Sequence, residues 1–187
     1  MCNGFGLKKE YEDFEIKGVS TDTRTIKEGQ LFIPLIGENF NGHRFLRAAI
    51  NNGAKASLWN KDEPIEDIDF PLILVDDTLK ALQELAKSYR EELNVKVIGI
   101  TGSNGKTSTK DILASLLSTQ YKTHKTTGNY NNQIGVPLTL LSMDEDTEMA
   151  VIEMGMDNFG QIENLTNIAR PDAAVITNIG EAHLDDL

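Results

Sequence analysis

The sequence predicts an α/β protein: a small mixed α/β domain over residues 1–93, then, over 94–187, a mostly parallel sheet of the P-loop kind. Three observations carry that prediction. Apolar runs of strand length alternate with segments of helical periodicity, the pattern of a parallel sheet covered on both faces. One of those runs, in IGITGSNGKTST, breaks into a Gly-rich turn that opens directly into a helix. A polar joint, EELN, separates this second series from the first and places the division near Asn94.

Taken in order, GQLFIPLIG reads as a buried strand and HRFLRAAINNGA as a helix ending at Gly53. KASLWN and FPLILVDD read as further strands. The next helix starts after the cap candidates Asp76, Asp77 and Thr78 and carries Leu79, Leu82, Leu85 and Ala86 on one face. VKVIGIT then begins the second series. Its helix KTSTKDILASLL places Ile112, Leu113, Leu116 and Leu117 at helical spacing, which predicts a core-facing stripe. YKTHKT, MAVIEMGM and DAAVITNIG read as strands, and IENLTNIAR as a helix.

The Gly-rich turn has the chemistry of an anion cradle. Gly102 and Gly105 allow the backbone to bend close to an anion, and the amides of the turn and of the helix N-terminus present partial positive charge. Lys106 adds a mobile cation. The Thr107 hydroxyl follows where a phosphate-bound Mg²⁺ takes such a ligand. The strict triphosphate pattern requires a glycine at the position of Ile100, and here Gly99 lies one step further out. A tight βα turn with a solvated lysine is the plainer alternative, which the strand-turn-helix context disfavours.

In a parallel sheet ligands gather at the carboxyl ends of the strands. Three runs deliver polar groups there: the phosphate turn, Glu153 after MAVI, and Asn178, Glu181 and His183 after DAAVIT. A carboxylate among Val151, Ile152 and Met154 costs several kcal/mol unless a cation or hydrogen bonds compensate it. A salt bridge to Lys or Arg is one answer and metal ligation the other. If the strands are parallel, Thr107, Glu153 and His183 converge on one edge, a mixed O/N set suited to a hard divalent ion that keeps waters.

Charge and cysteine content exclude other classes. The 18 Lys and Arg against 29 Asp and Glu give a net charge of -11, without the clustered cations that a nucleic-acid surface needs. Cys2 is the sole cysteine, so no internal disulfide or Cys-based metal site is expected. No run approaches the ~18 apolar residues of a membrane helix, and the N-terminus lacks the apolar segment of a signal peptide. A cytoplasmic protein without membrane insertion is expected.

The strings ITGSNGKTSTKDIL, KTTGNYNNQIGVPLTLL, VIEMGM and ARPDAAVITNIGEAHLDDL together resemble the Mur ligase family, and VSTDTRTIKEGQLFIPLIGENFNGHRF resembles the UDP-binding N-terminal domain of those ligases. The MGM that follows Glu153 resembles the dipeptide-adding branch. A sister branch adds the third residue of the stem peptide and shares the turn. The resemblance implies an ATP-dependent acid–amino-acid ligase of peptidoglycan synthesis. Its substrates would be a UDP-N-acetylmuramoyl-tripeptide and D-alanyl-D-alanine, its cofactors ATP and Mg²⁺, and its full-length form a monomer.

By the same resemblance Gly102, Ser103, Asn104, Gly105, Lys106, Thr107 and Ser108 would cradle the triphosphate. Lys106, Glu153 and His183 would be catalytic, and Thr107, Glu153 and His183 would serve metal ions. Thr126, Thr127, Asn129 and Asn132 would face the sugar-peptide end of the substrate; Thr21, Thr23, Arg24, Glu38, Asn39 and Phe40 would hold the uridine diphosphate. Each has a plainer reading: a loop for TTGNYNNQIG, a surface ion pair for Arg24, a core position for Phe40. The resemblance also implies that 94–187 is the first half of the ATPase domain, with a carbamate-modified residue and a third domain lying beyond Leu187. A piece of that extent is expected to bind nucleotide weakly and not to ligate. A nucleotide-driven switch and a non-catalytic UDP-sugar binding module are the rival classes.

Overall fold

The computed structural model describes residues 15–65, 67–156 and 158–180. The chain forms two compact units, Met1–Leu82 and Gln83–Leu187, so the division falls inside a helix, upstream of the expected joint at Asn94.

The first unit contains β1 (Val19–Ser20), β2 (Leu31–Phe32), β3 (Ile36–Gly37), β4 (Phe40–Asn41), α1 (Leu46–Asn51), β5 (Ala56–Asn60) and β6 (Leu72–Val75). A parallel sheet runs in the order β1-β2-β5-β6, and β3 and β4 form a separate antiparallel hairpin. The string GQLFIPLIG is therefore two short strands and not one. Pro34 lies between them, and a residue without an N–H cannot continue a ladder. The helix expected over HRFLRAAINNGA is also divided: a 3₁₀ turn over Gly42–Phe45 precedes α1, and the Asn41 side chain caps it by accepting from the His43 N–H. Phe32, Leu46, Ala49 and Trp59 make the core between sheet and helix.

His43 is buried in that unit with its ring edge-on to Trp59 at a centroid distance of 4.5 Å. Nδ1 lies 2.9 Å from Asn41 Oδ1, and Nε2 accepts from the Asn60 N–H at 3.2 Å, which selects the neutral Nδ1–H tautomer. Burial holds its pKa below the ordinary 6.5, against a smaller opposing pull from Glu63. The unfolded chain therefore binds the proton more readily than the folded one, so stability falls as pH drops through the unfolded value of about 6.5. The thermal midpoint is expected to decline between pH 7.5 and 5, and less steeply in His43→Gln. An equal slope in that variant would show that His43 does not contribute.

A helix, α2 (Thr78–Glu92), begins where Asp77 Oδ1 accepts from the Leu79 and Lys80 N–H groups, as its cap candidates predict. The second unit continues with β7 (Lys96–Thr101), α3 (Lys106–Leu117), β8 (Thr123–Lys125), α4 (Gly135–Leu141), β9 (Met149–Glu153), α5 (Gln161–Ala169) and β10 (Ala173–Ile176). All four strands are parallel, in the order β10-β7-β9-β8. The carboxyl ends of β7, β9 and β10 thus share one edge. Val97, Val136, Leu140, Ile152, Met154 and Leu165 form the core.

One expectation for α3 needs correction. Ile112 and Leu116 are exposed, while Leu113 and Leu117 pack on Ile100, Ala114 and Val151, so only half of the apolar stripe is core. GVPLTLL is a helix, with Pro137 in its first turn, where a missing N–H costs nothing.

Candidate functional site

The Gly-rich turn joins β7 to α3. Gly102 (φ +134°) and Gly105 (φ +81°) both adopt positive φ, the backbone freedom that a side chain would restrict. Gly105 is the residue before the helix, so the N–H groups of the first turn of α3 open toward the strand edge. Lys106 Nζ lies over the turn, donating to the carbonyls of Gly102 at 2.7 Å and Ser103 at 3.3 Å. Ser103, Asn104 and Ser108 lie on the same turn and helix start.

Beside this turn, β9 ends on Glu153, whose register partner is Ile100 of β7. The Thr107 hydroxyl donates to Glu153 Oε1 at 3.3 Å, so the hydroxyl and carboxylate singled out in the sequence do meet. Asn131 Nδ2 donates to the same oxygen at 3.0 Å. Glu153 Oε2 has no hydrogen-bond partner among the described residues although it is buried. Its compensating charge is Lys110, whose Nζ lies 3.6 Å away. That distance is within ion-pair reach but beyond a hydrogen bond. Both side chains are about 3% exposed.

The structure thus gives Glu153 the salt bridge and leaves its Oε2 without a hydrogen bond among the described residues. A hard divalent ion fits the oxygen donors that Thr107 and Glu153 provide, including one carboxylate oxygen with unspent acceptor capacity. Lys110 already balances part of the charge, so phosphate oxygens and water would have to supply the remaining ligands. Among the described residues no three His, Cys, Asp or Glu side chains are grouped as a metal site. Glu181 and His183 lie outside the described residues.

Thr126 is fully buried, and its hydroxyl oxygen accepts from the Glu153 N–H at 2.9 Å. This corrects its expected place facing a substrate, because it anchors the strand end instead. Thr127 and Asn129 are exposed on the following loop. Asn132 Oδ1 accepts from the N–H groups of Ile134 and Gly135 at 3.1 and 2.9 Å, capping α4. A cavity of about 350 Å³ adjoins the Gly-rich turn, with Lys106 and Asn178 on its polar side and Met156, Ile162, Ile176 and Ile179 as its apolar wall.

The first unit has a cleft of its own, about 510 Å³, lined by Thr21, Asp22, Thr23, Arg24, Phe32, Phe40, Gly42 and Phe45. Phe40 and Phe45 stack with ring centroids 5.5 Å apart and 16° between planes. Arg24 forks onto Asp22, with its Nη2 2.6 Å from Oδ2. That hydrogen bonding holds the Asp22 carboxyl down to about 2. Arg24 is thus an exposed ion pair, as its plainer reading had it, and also part of the cleft wall. Glu38 and Asn39 are exposed at the β3–β4 turn and do not line the cleft.

Sequence reasoning missed Lys110, Asn131, Asp22 and Phe45. Lys110 had a signal, since Thr107, Lys110 and Ala114 recur at helical spacing on one face of α3. Asn131 had none, because nothing in NYNNQ distinguishes the one asparagine that turns inward.

A model described as the Mur ligase middle domain matches residues 100–187. A second, described as the Mur ligase family catalytic domain, matches residues 15–90. The chain is 55% identical over 187 residues to the UDP-N-acetylmuramoyl-tripeptide–D-alanyl-D-alanine ligase of Bacillus subtilis (strain 168), covering 100% of this chain and 41% of that protein. It is similar in structure to MurF from Acinetobacter baumannii, with a TM-score of 0.86 and 40% identity over 92% of this chain and 38% of that one. It is also similar to MurF ligase from Thermotoga maritima in complex with ADP, with a TM-score of 0.79 and 36% identity over 89% of this chain and 38% of that one. The chain spans about two fifths of the length of these proteins. Since the two family models between them account for residues 15–90 and 100–187, the chain belongs to the Mur ligase family.

Proposed function

We propose that this chain is the substrate- and nucleotide-holding part of an ATP-dependent ligase that joins D-alanyl-D-alanine to a UDP-N-acetylmuramoyl-tripeptide. The observation that carries this reading is the meeting of Thr107 and buried Glu153 beside the turn that carries Lys106. The names of the related proteins favour the dipeptide-adding branch over the branch that adds the third residue.

In the reaction, the peptide carboxylate takes the γ-phosphoryl group of ATP, ADP leaves, and the dipeptide amine then displaces phosphate through a tetrahedral intermediate. The turn amides and Lys106 would hold the phosphates and meet the charge that develops during transfer. Thr107 and Glu153 would hold Mg²⁺, which supplies charge neutralisation of the phosphate oxygens; His183 would serve a second ion. The apolar wall beside the turn would limit water, which an acyl phosphate requires. The Thr21–Arg24 cleft would take the uridine diphosphate, with Phe40 and Phe45 as flat apolar surfaces and the turn donors as polar ones. Thr127 and Asn129 would border the sugar-peptide end.

Two ligands therefore should stabilise the intact protein independently. MgADP and the UDP-linked tripeptide are each expected to raise the thermal midpoint, by a free energy of about 2.7 kcal/mol at a hundredfold excess over Kd. Lys106→Ala should weaken MgADP by at least about tenfold while leaving the UDP-linked ligand unaffected. A response to nucleotide alone would support a switch, and a response to the UDP compound alone a binding module.

A further inference from the structure

The phosphate turn is not held by its own hydrogen bonds alone. Residues 177–180, which follow β10, grip it from the side away from Glu153's strand. The Thr177 hydroxyl donates to the Asn104 carbonyl at 2.6 Å and lies 3.3 Å from the Thr101 carbonyl. Asn178 Oδ1 accepts from the Asn104 N–H at 2.9 Å. The Ser103 N–H donates to the Asn178 carbonyl at 3.2 Å, and the Ser103 hydroxyl exchanges hydrogen bonds with the Gly180 backbone at 3.0 Å. Asn104 is thus fastened at both its donor and its acceptor.

Planarity of the peptide unit turns that fastening into direction. In a trans peptide the carbonyl and the following N–H point in opposite senses. With the Asn104 carbonyl drawn to Thr177, the Gly105 N–H is turned the other way, into the hollow. With the Asn104 N–H drawn to Asn178, the Ser103 carbonyl is turned toward Lys106, whose Nζ it meets at 3.3 Å. Space points the same way: a Cβ on Gly102 would lie 2.2 Å from Thr177 Oγ1 and 2.9 Å from the Asn178 carbonyl.

We propose that Thr177 and Asn178 are positioning residues for the nucleotide: they aim the turn's backbone so that the Gly105 amide and Lys106 receive phosphate. The proposal rests on the phosphate-site reading above and adds that β10 sets the affinity of a turn built on β7 and α3. Neither side chain needs to touch the nucleotide. The orientation they impose removes a reorganisation that binding would otherwise have to supply.

The test is MgADP titration of the intact protein with Thr177→Val, Thr177→Ser, Asn178→Ala and Lys106→Ala, each paired with a thermal unfolding scan without nucleotide. Thr177→Val and Asn178→Ala should raise Kd about tenfold, and Thr177→Ser, which keeps the hydroxyl, should stay within about twofold of the parent. Combining Thr177→Val with Asn178→Ala should cost less than the sum of the two, because both act on Asn104. Lower melting temperatures with parental MgADP affinity in Thr177→Val and Asn178→Ala, alongside weakened Lys106→Ala, would overturn the positioning role and leave the phosphate site standing. Parental affinity in Lys106→Ala as well would overturn the site and this proposal together.

Discussion

Lys110→Met is expected to lower the unfolding free energy by about 3–5 kcal/mol, the cost of breaking a buried ion pair by removing one partner. Its Nζ is the cation facing Glu153 Oε2 at 3.6 Å. Asp111 also lies 3.7 Å from that nitrogen, but it is half exposed and already bound to Lys125 at 2.7 Å. Removing the ammonium leaves a carboxylate oxygen with neither hydrogen bond nor counter-charge in the interior of the second unit. The double variant Lys110→Met with Glu153→Gln should recover part of the loss, because the uncompensated charge is gone. Denaturant midpoints of the two variants measure this. A Lys110→Met protein within about 1 kcal/mol of the parent would mean that water reaches Glu153 freely.

Gly102→Ala should be nearly as severe and should also abolish nucleotide binding. The residue has φ +134°, a conformation open to glycine and strained for alanine. Strain of about 1–3 kcal/mol adds to the approach of Thr177 and of the Asn178 backbone, which cannot yield as a flexible side chain would. Gly105→Ala is the informative comparison, since at φ +81° its nearest neighbour would be 4.0 Å from the added carbon. Its cost is the left-handed conformation alone, about 1–2 kcal/mol. Equal losses of stability in the two variants would show that crowding by 177–178 is not what demands glycine at 102.

Most of the conformation of the Gly-rich turn was legible in the sequence because its requirements are local. Two glycines, a lysine and a hydroxyl after an apolar run define backbone conformations and charges that need no distant partner. The parallel sheet was legible for a related reason: alternating strands and helices leave few other ways to cover both faces. From parallelism it followed that Glu153 ends on the same edge as the turn; the strand order, with β9 beside β7, brings it within reach of Thr107.

Other elements were not legible. The periodicity of α3 marks Ile112, Leu113, Leu116 and Leu117 as neighbours but cannot say which edge of the stripe the sheet covers. In TTGNYNNQIG every polar side chain is an equal candidate by type. Thr126 anchors the Glu153 N–H, Asn131 reaches its carboxylate and Asn132 caps α4, while Thr127 and Asn129 stay in solvent.

By itself, then, the sequence determined the class of fold, the Gly-rich turn between a strand and a helix and the strand end on which a carboxylate would stand, because backbone conformation and hydrophobic period are properties of neighbouring residues. Tertiary structure alone decided that Lys110 neutralises that carboxylate, that Phe45 stacks on Phe40 at the first unit's cleft and that Thr177 and Asn178 grip the turn. The contacts of Lys110, Thr177 and Asn178 depend on which strands lie side by side, and all of them, the Phe40–Phe45 stack included, on which way each side chain turns, which no local pattern encodes.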